Sequence, residues 1–351
     1  MLLAEKGWLM EFAFTDEQQM IGETARTFFA ENATSKRTRE AMTGDGIDRV
    51  LWQAFCQELG LAGVALPEAY GGSGLGMVEL ALVAEAAGAH VAALPLLGVA
   101  TAARAIASGG SKAQMSEWLP RLSSGEIIAT TLVATDAQSA FAPHGASADL
   151  ILLAVGERAW LGKPDNPGIN IKQLTTMDQT RPLAHIEFGG AALDALENGP
   201  AATQAARIGG WICLAAEALG GAQTCLDRTV AYAKERVQFG RPIGSFQAYK
   251  HRLADMMVEI EQARSAVYWA ACAVDEGSDE AALAIHAAKS FAADTFFKCA
   301  GDMIQLHGGI GFTWEHDAHL FFKRARAIQS MLGSGNWHRE KIAAMILGEA
   351  A

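Results

Sequence analysis

The sequence is short of proline, tyrosine and positive charge, and it has no paired cysteines; each shortage excludes something. Nine Pro and four Tyr in 351 residues, half of them hydrophobic and alanine very frequent, favour a predominantly helical globular protein. The five cysteines, Cys56, Cys213, Cys225, Cys272 and Cys299, are scattered, with no CxxC and no metal-ligand spacing. That pattern reads as free buried thiols in a reducing compartment. A formal net charge of −11 argues against general nucleic-acid binding. No uninterrupted apolar run has membrane length and the N-terminus has no cleavable hydrophobic segment, so no membrane span and a cytoplasmic location are expected.

At this length the chain should hold two or three units sharing a core. Residues 1–10 read as a leader or alternative start. Thr15, followed by Asp16, Glu17 and Gln18, is a helix start. Leu51, Trp52, Phe55 and Leu59 share a face of a second helix, and helical patterns follow over 77–87, 95–107 and 112–122. These define an expected all-helical domain over 11–125. Its Gly-rich stretch, 60–76, has neither the spacing nor the Lys of a phosphate loop and reads as a structural connection. Over 126–199 short β-like runs alternate with Gly, Pro and Asp clusters, which indicates a small β domain. Helical periodicity then dominates 200–351 in four long stretches with short joints, a bundle in which the Met residues are core filler.

Two stretches break the helical texture with chemically distinctive residues. In 235–247, Gly240, Pro242 and Gly244 interrupt two helices with a turn carrying Arg236, Gln238, Phe239, Arg241 and Gln247. Guanidinium groups grip phosphates and Phe offers a face to a ring, so the turn suits a nucleotide-like anion; an ordinary solvated turn has the same composition. In 305–313, a helix ends in Gly308, Gly309 and Gly311, where ligands can approach main-chain N–H groups, or where a helix is simply capped. Glu315, His316, Asp317 and His319 follow and read as capping and hydrogen-bonding groups in preference to metal ligands.

The order of residues in the first stretch resembles the RxQFGxPI…FQ signature of the acyl-CoA dehydrogenase family, and the second resembles another block of that family. The 60–76 connection is similar as well. The resemblance implies an acyl-CoA dehydrogenase-like fold: mainly α, with an N-terminal helical domain, a middle β-barrel domain and a C-terminal four-helix bundle. It implies FAD as cofactor, with Arg236, Gln238, Phe239 and Gln247 touching the FAD of a neighbouring subunit, Gln305, Gly308 and Gly309 lining its adenosine-diphosphate half, and Ser334 among the cofactor contacts. The middle domain departs from the pattern: it is shorter, and 131–138 replaces the usual flavin loop. Trp160 could flank a flavin or fill the barrel core.

Catalysis in the family needs a carboxylate that removes the α-proton of an acyl thioester. Aligned on the family's glycines, Leu332 occupies that position, and the alternative position on the preceding helix is Gly210, beside Trp211. The nearest acid, Glu217, is a candidate base whose burial would raise its pKa; a subunit-contact or capping role is the other reading. The implied activity is FAD-dependent α,β-dehydrogenation of an acyl-CoA thioester in fatty acid or steroid side-chain degradation. The alternative is a half-site or non-catalytic partner subunit of a heteromeric acyl-CoA dehydrogenase. Implied partners are acyl-CoA, copies of the same chain or a related subunit in a dimer or tetramer, and an acceptor such as electron-transfer flavoprotein.

Overall fold

The computed structural model describes residues 13–134 and 139–348. The leader reading of 1–10 and the last four positions of the 131–138 segment lie outside the described residues.

Six helices come first: α1 (Asp16–Asn32), α2 (Ser35–Met42), α3 (Arg49–Gln57), α4 (Met77–Gly88), α5 (Leu96–Gly109) and α6 (Lys112–Ser123). The start of α1 is a capping box. The Thr15 hydroxyl accepts the Gln18 N–H and the Gln18 side chain accepts the Thr15 N–H, so two free backbone donors are satisfied reciprocally. In the Gly-rich connection, a Cβ on Gly72 would lie 2.2 Å from the Leu66 carbonyl oxygen. That glycine serves a close backbone approach within the connection.

The middle region forms two sheets from β1 (Ala129–Ala134), β2 (Ser139–Pro143), β3 (Leu150–Val155), β4 (Arg158–Gly162), β5 (Ile169–Gln173), β6 (Leu183–Phe188) and β7 (Asp194–Ala195). One sheet has the order β1-β3-β4-β7, with β1 and β3 parallel; the other has the order β2-β6-β5 and is antiparallel. Leu132, Ile151, Leu153, Ala184 and Ile186 fill a small core between them, and Trp160 packs against it.

Then α7 (Gly199–Glu235) runs for 37 residues. Alanine along its length, Pro200 in the first turn and the Asn198 side chain capping the Ala201 N–H favour that length. The helix is the spine of the molecule. It packs against α4 and α5 on one side, and on the other against α8 (Gln247–Asp275) and α9 (Ala281–His307). Contact with α4 is backbone on backbone: a Cβ on Gly220 would sit 1.9 Å from the Glu85 carbonyl oxygen, and one on Gly88 would sit 2.1 Å from that of Glu217. One large apolar core therefore runs through both helical regions.

The last helical stretch expected from the sequence is divided into α10 (Ala318–Ser330) and α11 (Gly335–Leu347). The break falls at Leu332 and Gly333, whose φ values of +53° and +106° cannot continue a right-handed helix. The mainly α class with a small sheet region is as the sequence implied.

Candidate active site

A cleft of about 970 Å³ opens between the sheets and the helical core. Its walls come from Leu97 and Thr101 of α5, Thr131 of β1, and Arg207 and Trp211 of α7, with His286 of α9 opposite. The 331–334 turn and Trp337 and Lys341 of α11 close the far side.

The 331–334 turn is fixed from several directions. The Lys289 ammonium, fully buried, donates to the Ile328 carbonyl at 3.0 Å in the last turn of α10. Trp211 Nε1 donates to the Leu332 carbonyl at 2.7 Å. Ser334 caps α11, its hydroxyl accepting the Trp337 N–H at 3.3 Å. The two positions where the sequence lacks a carboxylate meet here, since a Cβ on Gly210 would lie 2.4 Å from Leu332 Cδ1. Among the described residues lining the cleft, the ionisable groups are Arg207, His286 and Lys341, and none is acidic.

Glu217 is not at this site. It lies on α7 where that helix touches α4, buried and not among the residues lining the cleft. Arg181 Nη2 donates to both its oxygens at 2.8 and 2.7 Å, and Arg324 Nη1 to Oε1 at 2.5 Å. Arg324 Nε also donates to Asp178 Oδ2 at 2.8 Å, which closes a quartet of two arginines and two carboxylates joining the β5–β6 loop to α7 and α10. Burial alone would push the Glu217 carboxyl up, as the sequence reading expected. The two guanidiniums outweigh it and hold the carboxyl below its ordinary range. Glu217 is therefore not the base the sequence suggested: three guanidinium hydrogen bonds hold it, its carboxyl sits below its ordinary range, and it does not line the cleft. Nothing in the sequence around Glu217 showed that arginines 36 residues upstream and 107 downstream would converge on it.

The two motif stretches form a second surface whose residues do not line the cleft. Val237–Gln238 and Arg241–Pro242 pair as a two-residue hairpin (β8, β9) around Phe239 and Gly240, both at positive φ. This presents Phe239 at 92% exposure. Arg236, Gln238 and Gln247 are exposed beside it, as are Gln305, Gly308 and Gly309 at the end of α9. Tyr249 holds the two stretches together, its hydroxyl donating to the Leu306 carbonyl at 2.8 Å. A Cβ on Gly308 or Gly309 would meet nothing within 4 Å, so that backbone is open to an incoming group. None of these residues lines the cleft; of the expected cofactor contacts only Ser334 does. The neighbouring Asp317 pairs with Arg39 and Arg228, and His316 Nδ1 accepts the Ala318 N–H. Both are structural contacts.

Sequence reasoning missed His286, which lines the cleft, and His338, which is fully buried against it. Their Nδ1 atoms are 2.7 Å apart. Trp211 packs on His286 with ring centroids 4.9 Å apart, and Trp337 meets it edge-on at 5.6 Å. The only signal in sequence was a lone His on an apolar helix face, 52 positions from its partner.

Residues 202–347 match the family model for the acyl-CoA dehydrogenase C-terminal domain, and 15–126 match the model for the N-terminal domain. Acyl-CoA dehydrogenase IpdE2 of Mycolicibacterium smegmatis is 37% identical over 320 residues, which cover 91% of this chain and 95% of the relative. The chain belongs to the acyl-CoA dehydrogenase family. Among solved structures, a chain of the Tcur3481-Tcur3483 steroid ACAD variant is 31% identical with a TM-score of 0.86, covering 95% of this chain and 98% of its own. A chain of the ChsE4-ChsE5 complex from Mycobacterium tuberculosis is 28% identical with a TM-score of 0.89, covering 97% and 100%. The chain is thus an oxidoreductase of acyl-CoA dehydrogenase type. Among the described residues, no helix is long and apolar enough to cross a membrane.

Proposed function

We propose that the chain acts in the FAD-dependent α,β-dehydrogenation of an acyl-CoA thioester as part of an oligomer whose subunits share their FAD sites, passing electrons to an acceptor such as electron-transfer flavoprotein in the cytoplasm. The observation that carries this is the open Arg236–Phe239 hairpin at the start of α8, whose Tyr249 bonds the Leu306 carbonyl near the glycine end of α9. An exposed guanidinium, an exposed aromatic face and a glycine backbone with open space beside it suit a flat, anionic dinucleotide. None of these residues lines the chain's own cleft, which suits a neighbour's FAD. Arg236, Gln238, Phe239 and Gln247 would hold it, with Gln305, Gly308 and Gly309 on the diphosphate side and Ser334 in the chain's own cleft.

Bound FAD supplies the two-electron acceptor. The chain's own residues shape the cleft that receives the acyl thioester: Leu97, Leu183 and Leu332 offer apolar contact, and Thr101 and Trp211 fix the walls through hydrogen bonds to Thr131 and the Leu332 carbonyl.

A second reading is favoured by the meeting of Gly210 with Leu332. A cleft without a carboxylate among its described residues suits a half-site partner, in a heterotetramer with a related subunit that carries the base; two of the similar solved structures bear names that join two proteins. Expression alone and together with a related subunit, followed by counting flavins per chain and titration with acyl-CoA, separates the readings. A yellow homo-oligomer that bleaches with acyl-CoA supports the first. Flavin and bleaching only in the mixed oligomer support the second, and a colourless protein in both preparations contradicts each.

A further inference from the structure

The cleft has Leu332 and Gly210 where the family resemblance would place a carboxylate, yet among its described lining residues it holds a group able to take up a proton. Besides the basic side chains of Arg207 and Lys341, His286 is the remaining ionisable group among the described lining residues. Its environment fixes which nitrogen is free. The Nδ1 atoms of His286 and His338 are 2.7 Å apart, so one carries the shared proton. His338 is completely buried and its Nε2 has no hydrogen-bond partner. That Nε2 lies against Gly333, where an added Cβ would come within 3.1 Å of it, and the Leu332 backbone acts on the ring as a hydrogen-bond acceptor that favours its protonated form. A lone pair facing a carbonyl oxygen is repelled, whereas an N–H is attracted. The favoured arrangement puts the proton on His338 Nε2 and leaves His338 Nδ1 to accept from His286 Nδ1–H. His286 Nε2 then carries a lone pair. It has no partner among the described residues and, unlike His338 Nε2, is not sealed from solvent.

We infer that His286 accepts the α-proton of an acyl thioester bound in this cleft, with His338 as the positioning residue that sets its tautomer. The inference rests on the first reading above, in which the cleft receives the thioester. In the step, the α C–H bond breaks, its electron pair moves into the thioester carbonyl as an enolate, and the proton forms an N–H bond at His286 Nε2. The positive charge on the ring is shared through Nδ1–H with His338. Return of a solvent proton reverses the step, so exchange at the α-carbon needs no oxidant. The titratable and charged groups around His286 are His338 and Lys341 on α11, Arg207 on α7 and Lys289 one turn along α9. Burial, and then the Lys341 charge, keep the imidazole neutral and able to accept.

The test uses the purified full-length protein in D2O with an acyl-CoA that has α-hydrogens but no β-hydrogen, so that it cannot be oxidised. Calorimetry measures binding, mass spectrometry measures α-deuterium, and 15N NMR of labelled histidine reads the tautomer. The wild type should bind, exchange, and show an unprotonated Nε2 on His286, with exchange slowing in acid as that nitrogen protonates. H286N should bind but exchange at least about 100-fold more slowly, and H338N should keep binding while shifting the pH profile. Should H286N not fold, H286Q and the wild-type NMR spectrum decide. Exchange at the wild-type rate in either His286 variant, or a protonated Nε2 in the free protein, overturns the inference. Binding without exchange overturns it while leaving the cleft reading intact; absence of binding removes both.

Discussion

Replacing Glu217 with Gln tests the buried quartet and the withdrawal of Glu217 from catalysis together. In the wild type, Asp178 and Glu217 balance Arg181 and Arg324, and all four are nearly inaccessible to solvent. E217Q keeps the shape but removes one negative charge, which leaves a buried excess positive charge and replaces an acceptor oxygen with an N–H₂ facing guanidinium donors. Breaking a buried ion pair by removing one partner costs about 3–5 kcal/mol. At about 1.4 °C per kcal/mol for a chain of this size, from about 2.1 cal/mol/K of unfolding entropy per residue, the melting temperature should fall by about 4–7 °C. The pH dependence gives an independent check. The Glu217 carboxyl is held below its ordinary 4.5 in the fold, so its contribution is present above that value and is lost as pH falls through the folded pKa. Thermal unfolding followed by circular dichroism should therefore show the gap between wild type and E217Q closing in acid. Acyl-CoA binding per folded molecule should be unchanged, because the group does not reach the cleft. A melting temperature within about 1 °C of wild type would refute the structural role, and loss of binding in a folded protein would return Glu217 to the site.

Other outcomes follow from the same geometry. G220A forces a Cβ against the Glu85 carbonyl oxygen, 1.9 Å away, and should destabilise by about 1–3 kcal/mol or more in chemical denaturation. Burial lowers the Lys289 pKa to about 8 from 10.5, so below pH 8 its charge opposes folding and the penalty is relieved as pH rises from 8 to 10.5. The stability difference between wild type and K289M should change by about 3 kcal/mol across that window, and a difference that stays flat would contradict a charged, buried Lys289. L332E places a carboxylate at the family's base position and should speed α-proton exchange by about 10²-fold over H286N when introduced into that variant; no rescue would show that the turn does not face the acyl carbon.

What the sequence made legible depended on the range of the cause. The Thr15 cap, the long Ala-rich α7 and the hairpin between two helices are set by residues a few positions apart, and pattern alone located them. The break at Leu332 was missed because a non-glycine residue at positive φ leaves no compositional mark; it is held there by the Trp211 indole and by packing against Gly210. The fate of Glu217 was misjudged for a similar reason. Local sequence showed a carboxylate among Ala and Leu and so suggested a raised pKa, while the two arginines that reverse the shift arrive from a loop and a helix far along the chain. The His286–His338 pair is invisible until α9 and α11 are packed together. In the cofactor stretches, sequence supplied the residue types and the fold supplied what they lacked, a Tyr249 hydroxyl joining two separate stretches into one exposed surface.

The most direct test of the account is the flavin content of the purified oligomer after R236E, which reverses the charge on the exposed turn without touching the core. The account predicts that R236E folds with an unchanged melting temperature and loses most of the FAD held by the wild-type oligomer. Full retention of FAD by R236E would contradict the assignment of this surface to a neighbour's cofactor.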